Sequence, residues 1–297
     1  MERSGYDSDM SDKEWENIQK YLPAPSTRRA HLRKWDQRAI INAILYVVTA
    51  GYQWRMLPND YPPWQSVYYH YNKWCKNETW FFIHQFLHQQ TRIEAGRESE
   101  PSAAMIDSQS VKTTELAESR GFDGHKRIKG HKRHVAVDVL GIPLMVKVTD
   151  ANASDSKSAY DLLESMFFWF FSIQLIWADG GYKGDLSLWV WNRFQCELEI
   201  TLNLQGTGFE VLPKRWIIER TFAWFGWYRR LNMDYERKTE HSENMTYIAM
   251  IRLMLKNLFE INSASHLNRS MSHSFYARAT QIKGVTVTWN DPVMTAI

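Results

Sequence analysis

The chain has 297 residues, 44% of them hydrophobic and 23% charged, with a formal net charge of +3, enough for one large folded unit or two ordinary ones. No apolar run approaches the ~18 residues of a membrane span, the nearest being Met166 to Phe171, and the polar, acidic stretch from Met1 to Asp12 excludes a signal or transit peptide. Cys75 and Cys196 have no CxxC spacing, which excludes a disulfide framework and fits a reducing, cytoplasmic setting.

The first third reads as helical. Ser11-Asp12-Lys13-Glu14 has the form of a capping box, opening a short helix that ends near Leu22-Pro23. Asp36 can cap a second helix that Gly51 stops, with Ile40, Ala43, Ile44, Val47 and Val48 at helical spacing. Further helices are expected near Ser66–Lys76 and Thr79–Arg92. Short helices around a turn suit a helix-turn-helix-like DNA reader, and a plain helical core suits the same pattern. Gly96 to Ser102, polar and carrying Pro101, marks a boundary between residues 1–95 and a unit spanning 103–261.

Beyond it the period changes. Ala103–Asp107 reads as a buried strand, Val135, Val137 and Val139 as a second, and Leu144, Val146 and Val148 as its hairpin partner across Gly141-Ile142-Pro143. A helix over Ser156–Phe171 and strands over Ile173–Ala178 and Leu198–Leu202 follow, then a helix from Pro213 to Leu231 and a last one from Tyr247 to Ile261. This is an α/β layout with a mixed sheet. The tail 262–297 shows no period.

Positive charge is local. Arg28, Arg29, Arg33, Lys34 and Arg38 form one run, and Arg120, Lys126, Arg127, Lys129, Lys132 and Arg133 another. Such runs are the footprint of a polyanion, or else a solvated loop. Asp107 and Asp179 each end a strand and are followed by small residues, so each carboxylate can stand above a sheet edge. Capping the next segment is the plainer role for either. At ~100° per residue, Glu219 shares a helix face with Arg215, Ala223, Gly226 and Arg230, away from the stripe of Ile217, Trp224, Tyr228 and Leu231. On its own that placement equally suits a surface pair with Arg215. Three acids converging from separate elements, with cations nearby, suit two-metal phosphodiester chemistry.

Asp107-Ser108-Gln109-Ser110-Val111-Lys112, Lys129-Gly130-His131-Lys132-Arg133-His134, Ala178-Asp179-Gly180-Gly181-Tyr182-Lys183-Gly184 and the segment from Val211 to Trp224 resemble motifs of DDE transposases from bacterial insertion sequences. The nearest group is family five of the family-four/five superfamily, whose DNA-binding region Gly51–Pro58 also resembles. The resemblance covers roughly residues 8–260. It implies an RNase H-like catalytic domain behind a helical DNA-binding domain, with Asp107, Asp179 and Glu219 as catalytic and metal-holding residues and Arg215 as the basic residue of the third motif. It also implies two Mg²⁺ ions, replaceable by Mn²⁺. Two positions depart from the superfamily, Leu212 where Tyr is common and Gly226 where Lys or Arg is common, so Arg229 or Arg230 is expected to substitute.

The activity implied is binding of an element's inverted ends, hydrolysis of phosphodiester bonds and joining of 3′-hydroxyls to target DNA. A homodimer or higher oligomer on double-stranded DNA is expected, with no membrane partner. An RNase H-like nuclease or resolvase without strand transfer, or a DNA-binding regulator that has lost catalysis, are the other readings. Lys129, Lys132, Arg133, Arg215, Arg229, Arg230 and Trp227 are the expected DNA contacts, with Trp224 reserved for the core. His125, His131 and His134 make a poor zinc site, having no cysteine nearby and cations between them.

Overall fold

The computed structural model describes residues 5–23, 35–201 and 214–260. The cluster Arg28, Arg29, Arg33 and Lys34, the positions Leu212 and Pro213, and the tail 262–297 lie outside the described residues.

Helix α1 (Asp12–Ile18) opens on the expected capping box: Glu14 N donates to Ser11 Oγ at 3.3 Å and Ser11 N to Glu14 Oε2 at 2.7 Å. Helix α2 (Gln37–Ala50) ends at Gly51, which turns left-handed at φ 75°. A side chain there would also strike Arg229, whose Cβ lies 2.8 Å from where a Cβ of residue 51 would stand. Helices α3 (Trp64–Lys76) and α4 (Thr79–Glu94) complete the helical part.

Six strands then form one sheet: β1 (Ala103–Lys112), β2 (Gly121–Asp123), β3 (Ile128–Val137), β4 (Pro143–Asp150), β5 (Leu175–Asp179) and β6 (Glu197–Thr201). The order runs β2-β3-β1-β5-β6, with β4 also on the outer side of β3. Pairing is antiparallel for β1 with β3 and for β3 with β2 and β4, and parallel for β1 with β5 and β5 with β6. Helices α5 (Asp155–Trp169), α6 (Leu186–Phe194), α7 (Arg215–Phe225), α8 (Arg229–Asn232) and α9 (Thr239–Leu255) surround it. A mixed sheet of this order, preceded by a helical region, is the RNase H-like layout expected.

Three departures from expectation have physical reasons. The second strand begins seven residues early, at Ile128, so Lys129, Lys132 and Arg133 of the basic run lie in a strand rather than a loop. Lys129 stays exposed, while His131, Lys132, Arg133 and His134 are buried and bonded to partners inside. The expected helix over Pro213–Leu231 breaks after Phe225, where Gly226 (poor in helices) begins a turn before α8. The break rotates Arg230 off the Glu219 face and into the interior. Helix α6 has apolar residues on both faces, with Leu186 and Val190 buried but Leu188 and Trp191 exposed, which hides its period.

Helix α9 is nearly all buried and ties the parts together. It caps the free edge of β4, where Val146 N donates to Tyr247 Oη at 3.0 Å and Val148 N to Glu243 Oε1 at 2.9 Å. Its Arg252 forms a buried ion pair with Glu14 of α1. Tyr71 of α3 donates to the His241 carbonyl at 3.1 Å, and Asn72 lies 3.2 Å from the His241 ring. His88 and Arg92 of α4 hold the buried Asp138, which accepts the amides of Leu140 and Ile142 in the β3–β4 turn. Buried contacts thus cross the polar stretch at 96–102, and both parts share one core.

A second lock joins β3 to the segment before α9. His131 Nδ1 faces Asp234 Oδ2 at 2.8 Å and its Nε2 faces the Ser119 carbonyl at 2.7 Å, while Ser242 Oγ donates to Asp234 at 2.6 Å. Two acceptors flanking one ring require both nitrogens to carry protons. Burial pushes the His131 pKa down, but the Asp234 hydrogen bond and charge, with the Ser119 carbonyl, outweigh it and raise it overall.

Two stability outcomes are expected. Glu14→Ala removes one partner of a buried pair and leaves Arg252 uncompensated, so urea unfolding should report a loss of about 3–5 kcal/mol; a loss under about 1 kcal/mol would mean Arg252 reaches water. For His131, whose pKa rises on folding, the stabilisation is complete below its unfolded value of 6.5 and is lost as pH climbs through the raised folded value. The penalty of His131→Asn, about 1.5–3 kcal/mol for a charged hydrogen bond, should therefore be largest near pH 6 and shrink by pH 9. A penalty constant over that span would show a neutral ring.

Candidate active site

The parallel register sets Ile106 beside Ala178, so Asp107 and Asp179 follow one another at neighbouring positions where β5 ends. Their strands form the floor of an open cleft lined by Met105, Asp107, Trp177, Asp179, Thr201, Arg215 and Ile218 among others. Asp107 Oδ1 accepts the Ser108 amide at 2.7 Å. Asp179 does cap the next segment: its Oδ1 accepts Gly181 N at 2.8 Å at the start of the turn Gly180–Tyr182. One oxygen serves the cap while the other remains for the cleft. The capping role and the site role are therefore compatible.

The electrostatics follow from that placement. Burial, foremost, and the neighbouring Asp179 charge push the Asp107 carboxyl up to about 6, against the Ser108 amide, Arg215 and Lys126, which pull it down. Beneath the acids Tyr182 is buried, and its pKa is raised well above the usual phenol value, first by burial and then by Asp107, Asp155 and Asp179. Trp177 is braced on the cleft wall, its Nε1 donating to Glu199 Oε2 at 2.6 Å and the Lys214 ammonium standing 3.6 Å over its ring.

Helix α7 forms the other wall. Thr221 Oγ1 donates to the Gly141 carbonyl at 2.7 Å and Arg220 Nη2 to the Leu140 carbonyl at 2.8 Å, pinning the helix to the β3–β4 turn. Gly141 has φ 78°, and a Cβ there would come within 3.0 Å of Thr221 Oγ1, so glycine serves both the turn and the docking. With Ile217, Ile218 and Trp224 turned inward, Glu219 is exposed on the outer face. It pairs with Arg215 at 3.2 Å, and Arg215 in turn lines the cleft. Among the described residues no three His, Cys, Asp or Glu side chains gather closely enough to hold a metal ion. Glu219 is therefore on the helix that walls the site but is turned to Arg215 rather than to the aspartates.

Asp107 and Asp179 nevertheless fit a divalent cation: they offer hard oxygen donors, and their proximity in a half-buried cleft is unfavourable without positive charge between them. The zinc alternative fails on geometry, since His131 is committed to Asp234 and Ser119 and His134 to Thr149.

The expected DNA contacts separate into two groups. Lys129 and Arg229 are exposed, as is Trp227, while Trp224 is buried beside it. Lys132, Arg133 and Arg230, by contrast, are buried and used internally. Lys132 donates to the Ala153 carbonyl and pairs with Asp155 at 3.2 Å; Arg133 donates to the Leu231 carbonyl at 2.9 Å; Arg230 pairs with Glu236 at 2.6 Å. The expectation that these three meet DNA is corrected: β3 is covered on both faces, so Lys132 and Arg133, which point to opposite sides, are each enclosed, and the α8 turn carries Arg230 inward. In α3, Val67, Tyr71, Trp74 and Cys75 are core, and Asn72 is taken by His241, leaving Gln65, Tyr69 and Lys76 on the outer face. Trp177, Tyr182 and Thr201 were not anticipated as site residues; Tyr182 carried a signal, standing three residues after Asp179 in the third recognisable motif.

Comparison with known proteins agrees with this geometry. Residues 10–84 match a family model provisionally described as a transposase of the IS4/5 family. A protein of Burkholderia cepacia, named provisionally as the transposase for insertion sequence element IS402, is 26% identical over 118 residues. That match spans 37% of this chain and 56% of the relative. Residues 98–254, more than half of the chain and including every strand and all three acids, match the model described as the transposase DDE domain. The chain belongs to the DDE-domain transposase family.

Proposed function

We propose that this chain cuts DNA at the ends of its own insertion sequence and joins the freed 3′-hydroxyls to target DNA, with Asp107, Asp179 and Glu219 as the catalytic acids. The observation that carries the reading is the pair of aspartates on adjacent parallel strands, at the floor of a cleft walled by the helix of Glu219. Asp107 and Asp179 would hold the cations, and Glu219 would complete the set on leaving Arg215 for the cleft. Two divalent ions, Mg²⁺ or Mn²⁺, would supply activation of the attacking hydroxyl and neutralisation of the leaving oxygen. Arg215, released from Glu219, places its guanidinium against a phosphate, a geometry the planar fork suits. The water or 3′-hydroxyl attacks in line, and the same residues serve both steps.

Residues 1–95 recognise the element's ends, acting as one body with the catalytic part rather than as a detachable reader. The outer face of α3, with Gln65, Tyr69 and Lys76, is the surface offered to base edges. Lys129 and Arg229 hold the backbone, and Trp227 presents a ring for stacking. The working form on DNA is a dimer or higher oligomer.

In plasmid cleavage assays with Mg²⁺, Asp107→Asn, Asp179→Asn and Glu219→Gln are each expected to reduce cutting by more than about 100-fold, beyond what loss of a supporting residue costs. Duplex binding should stay within about threefold, because the charge lost faces the metals. Near-normal cutting by any one of them removes that residue from the site. Cutting without joining in the wild type would leave a nuclease.

The buried cations give a separate outcome. Lys129→Ala should flatten the slope of log affinity against log salt by ~0.9, one phosphate contact. Lys132→Ala and Arg133→Ala should instead lower folding stability, by about 1–3 kcal/mol for the buried carbonyls left without their donors, and leave the slope of the folded protein unchanged.

A further inference from the structure

The geometry points to Lys126, at the tip of the β2–β3 turn, as a substrate-phosphate-binding residue of the site that holds Asp107. This rests on the DNA-cutting reading above and adds to it a cation that none of the expected contacts included.

The turn is bolted to the strand that carries the acid. Asp123, buried at its start, accepts the amides of His125 and Lys126 on Oδ1, each at 3.0 Å. Its Oδ2 accepts the Ser110 hydroxyl of β1 at 2.6 Å, three residues past Asp107. Arg127 closes the turn with φ 54°, a left-handed conformation uncommon for a residue with a Cβ. These bonds aim the Lys126 side chain back along β1, where its Nζ donates to the Ser108 carbonyl at 3.2 Å, one residue from Asp107. Lys126 is otherwise exposed.

An ammonium has three protons, and the carbonyl takes one. The others are available to an acceptor entering beside Asp107. A DNA strand there brings a phosphate whose negative charge the aspartates repel, and a lysine at the rim offsets that repulsion as a compact point charge. Of the cations in the same run, Lys132 and Arg133 are consumed by internal partners and Arg120 faces Glu115 at 3.6 Å. Lys126 is the one whose bonded position abuts the acid. The anchoring through Asp123 and Ser110 makes the turn a positioning device for it.

The test uses the full chain carrying Lys126→Ala, Lys126→Gln and Lys126→Arg, with a random-sequence duplex of about 30 base pairs for binding and supercoiled plasmid with Mg²⁺ for cutting. The expected result is a salt slope lower by ~0.9 for the Ala and Gln variants. Cutting should fall about 10- to 100-fold, the loss of one charge-assisted hydrogen bond. Lys126→Arg should restore most of both, and melting temperatures should match the wild type. An unchanged salt slope overturns the proposal whatever happens to cutting. So does a lowered melting temperature with an unchanged slope, which would make Lys126 a tether for the turn. If Asp107→Asn cuts as well as the wild type while Lys126→Ala still loses ~0.9 of slope, the catalytic reading fails and the phosphate contact at Lys126 stands.

Discussion

Everything at the site depends on the parallel pairing of β1 with β5. Its register, Ile106 opposite Ala178, brings two carboxylates to neighbouring positions in a partly dry cleft. Like charges so placed disfavour one another, and burial disfavours each alone. The surroundings answer with hydrogen bonds and cations: the amides of Ser108 and Gly181, the guanidinium of Arg215 and the ammonium of Lys126. The rest of the catalytic part can be understood as what keeps those groups in place. Helix α7 is docked on the β3–β4 turn by Thr221 and Arg220, which sets Arg215 over the cleft. The β2–β3 turn is docked on β1 by Asp123, which sets Lys126 at its rim.

Strand β3 shows what such an arrangement costs. It runs through the middle of the sheet with His131, Lys132, Arg133 and His134 all buried. Buried ion pairs seldom add stability over apolar packing, because desolvation offsets attraction. Their effect here is on register. Each side chain finds its partner on a different element: Asp234 before α9, Asp155 at the start of α5, the Leu231 carbonyl of α8 and Thr149 of β4. A slip of one residue would turn every one of them to the wrong face and strand the charges of His131, Lys132 and Arg133. Since β1 takes its register from β3, with Asp107 opposite Val135, the same bonds fix the acid's position.

That strand also marks the limit of what could be read from the amino acids. The apolar elements were legible: α2 from its spacing and Gly51, the alternation of Val135 and Val137, the buried β5 ending in Asp179, and the capping box of α1. The motifs around the three acids identified the family, and two of those acids, Asp107 and Asp179, lie together in the cleft. What stayed hidden were residues whose environment is set at long range. Lys132 and Arg133 have the composition of a DNA-binding loop, and only the distant partners show that they are interior. Arg230 was placed by extending one helix through Gly226, so a single break reversed its direction. Glu14 was legible as a cap, but its second oxygen reaches Arg252, 238 residues away. Lys126 lay within the same basic run as Lys132, and nothing local distinguishes the cation that reaches the acid from the one that is buried.

The sharing of one core between the helical part and the sheet bears on how DNA recognition and chemistry are coupled. A reader on a flexible linker delivers DNA through effective concentration, with geometry left to chance. Here α9 contacts both sides: Arg252 holds α1, His241 meets α3, and Glu243 and Tyr247 close the edge of β4. Gly51, at the end of α2, lies directly against Arg229, four residues past the end of α7. Under the proposed reading, a duplex gripped by the outer face of α3 would be held by the same core that carries Asp107 and Asp179. Cleavage position would then be measured off along the DNA by the protein's own dimensions, a fixed placement that near-attack geometry rewards. Buried ion pairs that contribute little to net stability are suited to that purpose, because breaking the alignment between reader and site would leave their charges without partners.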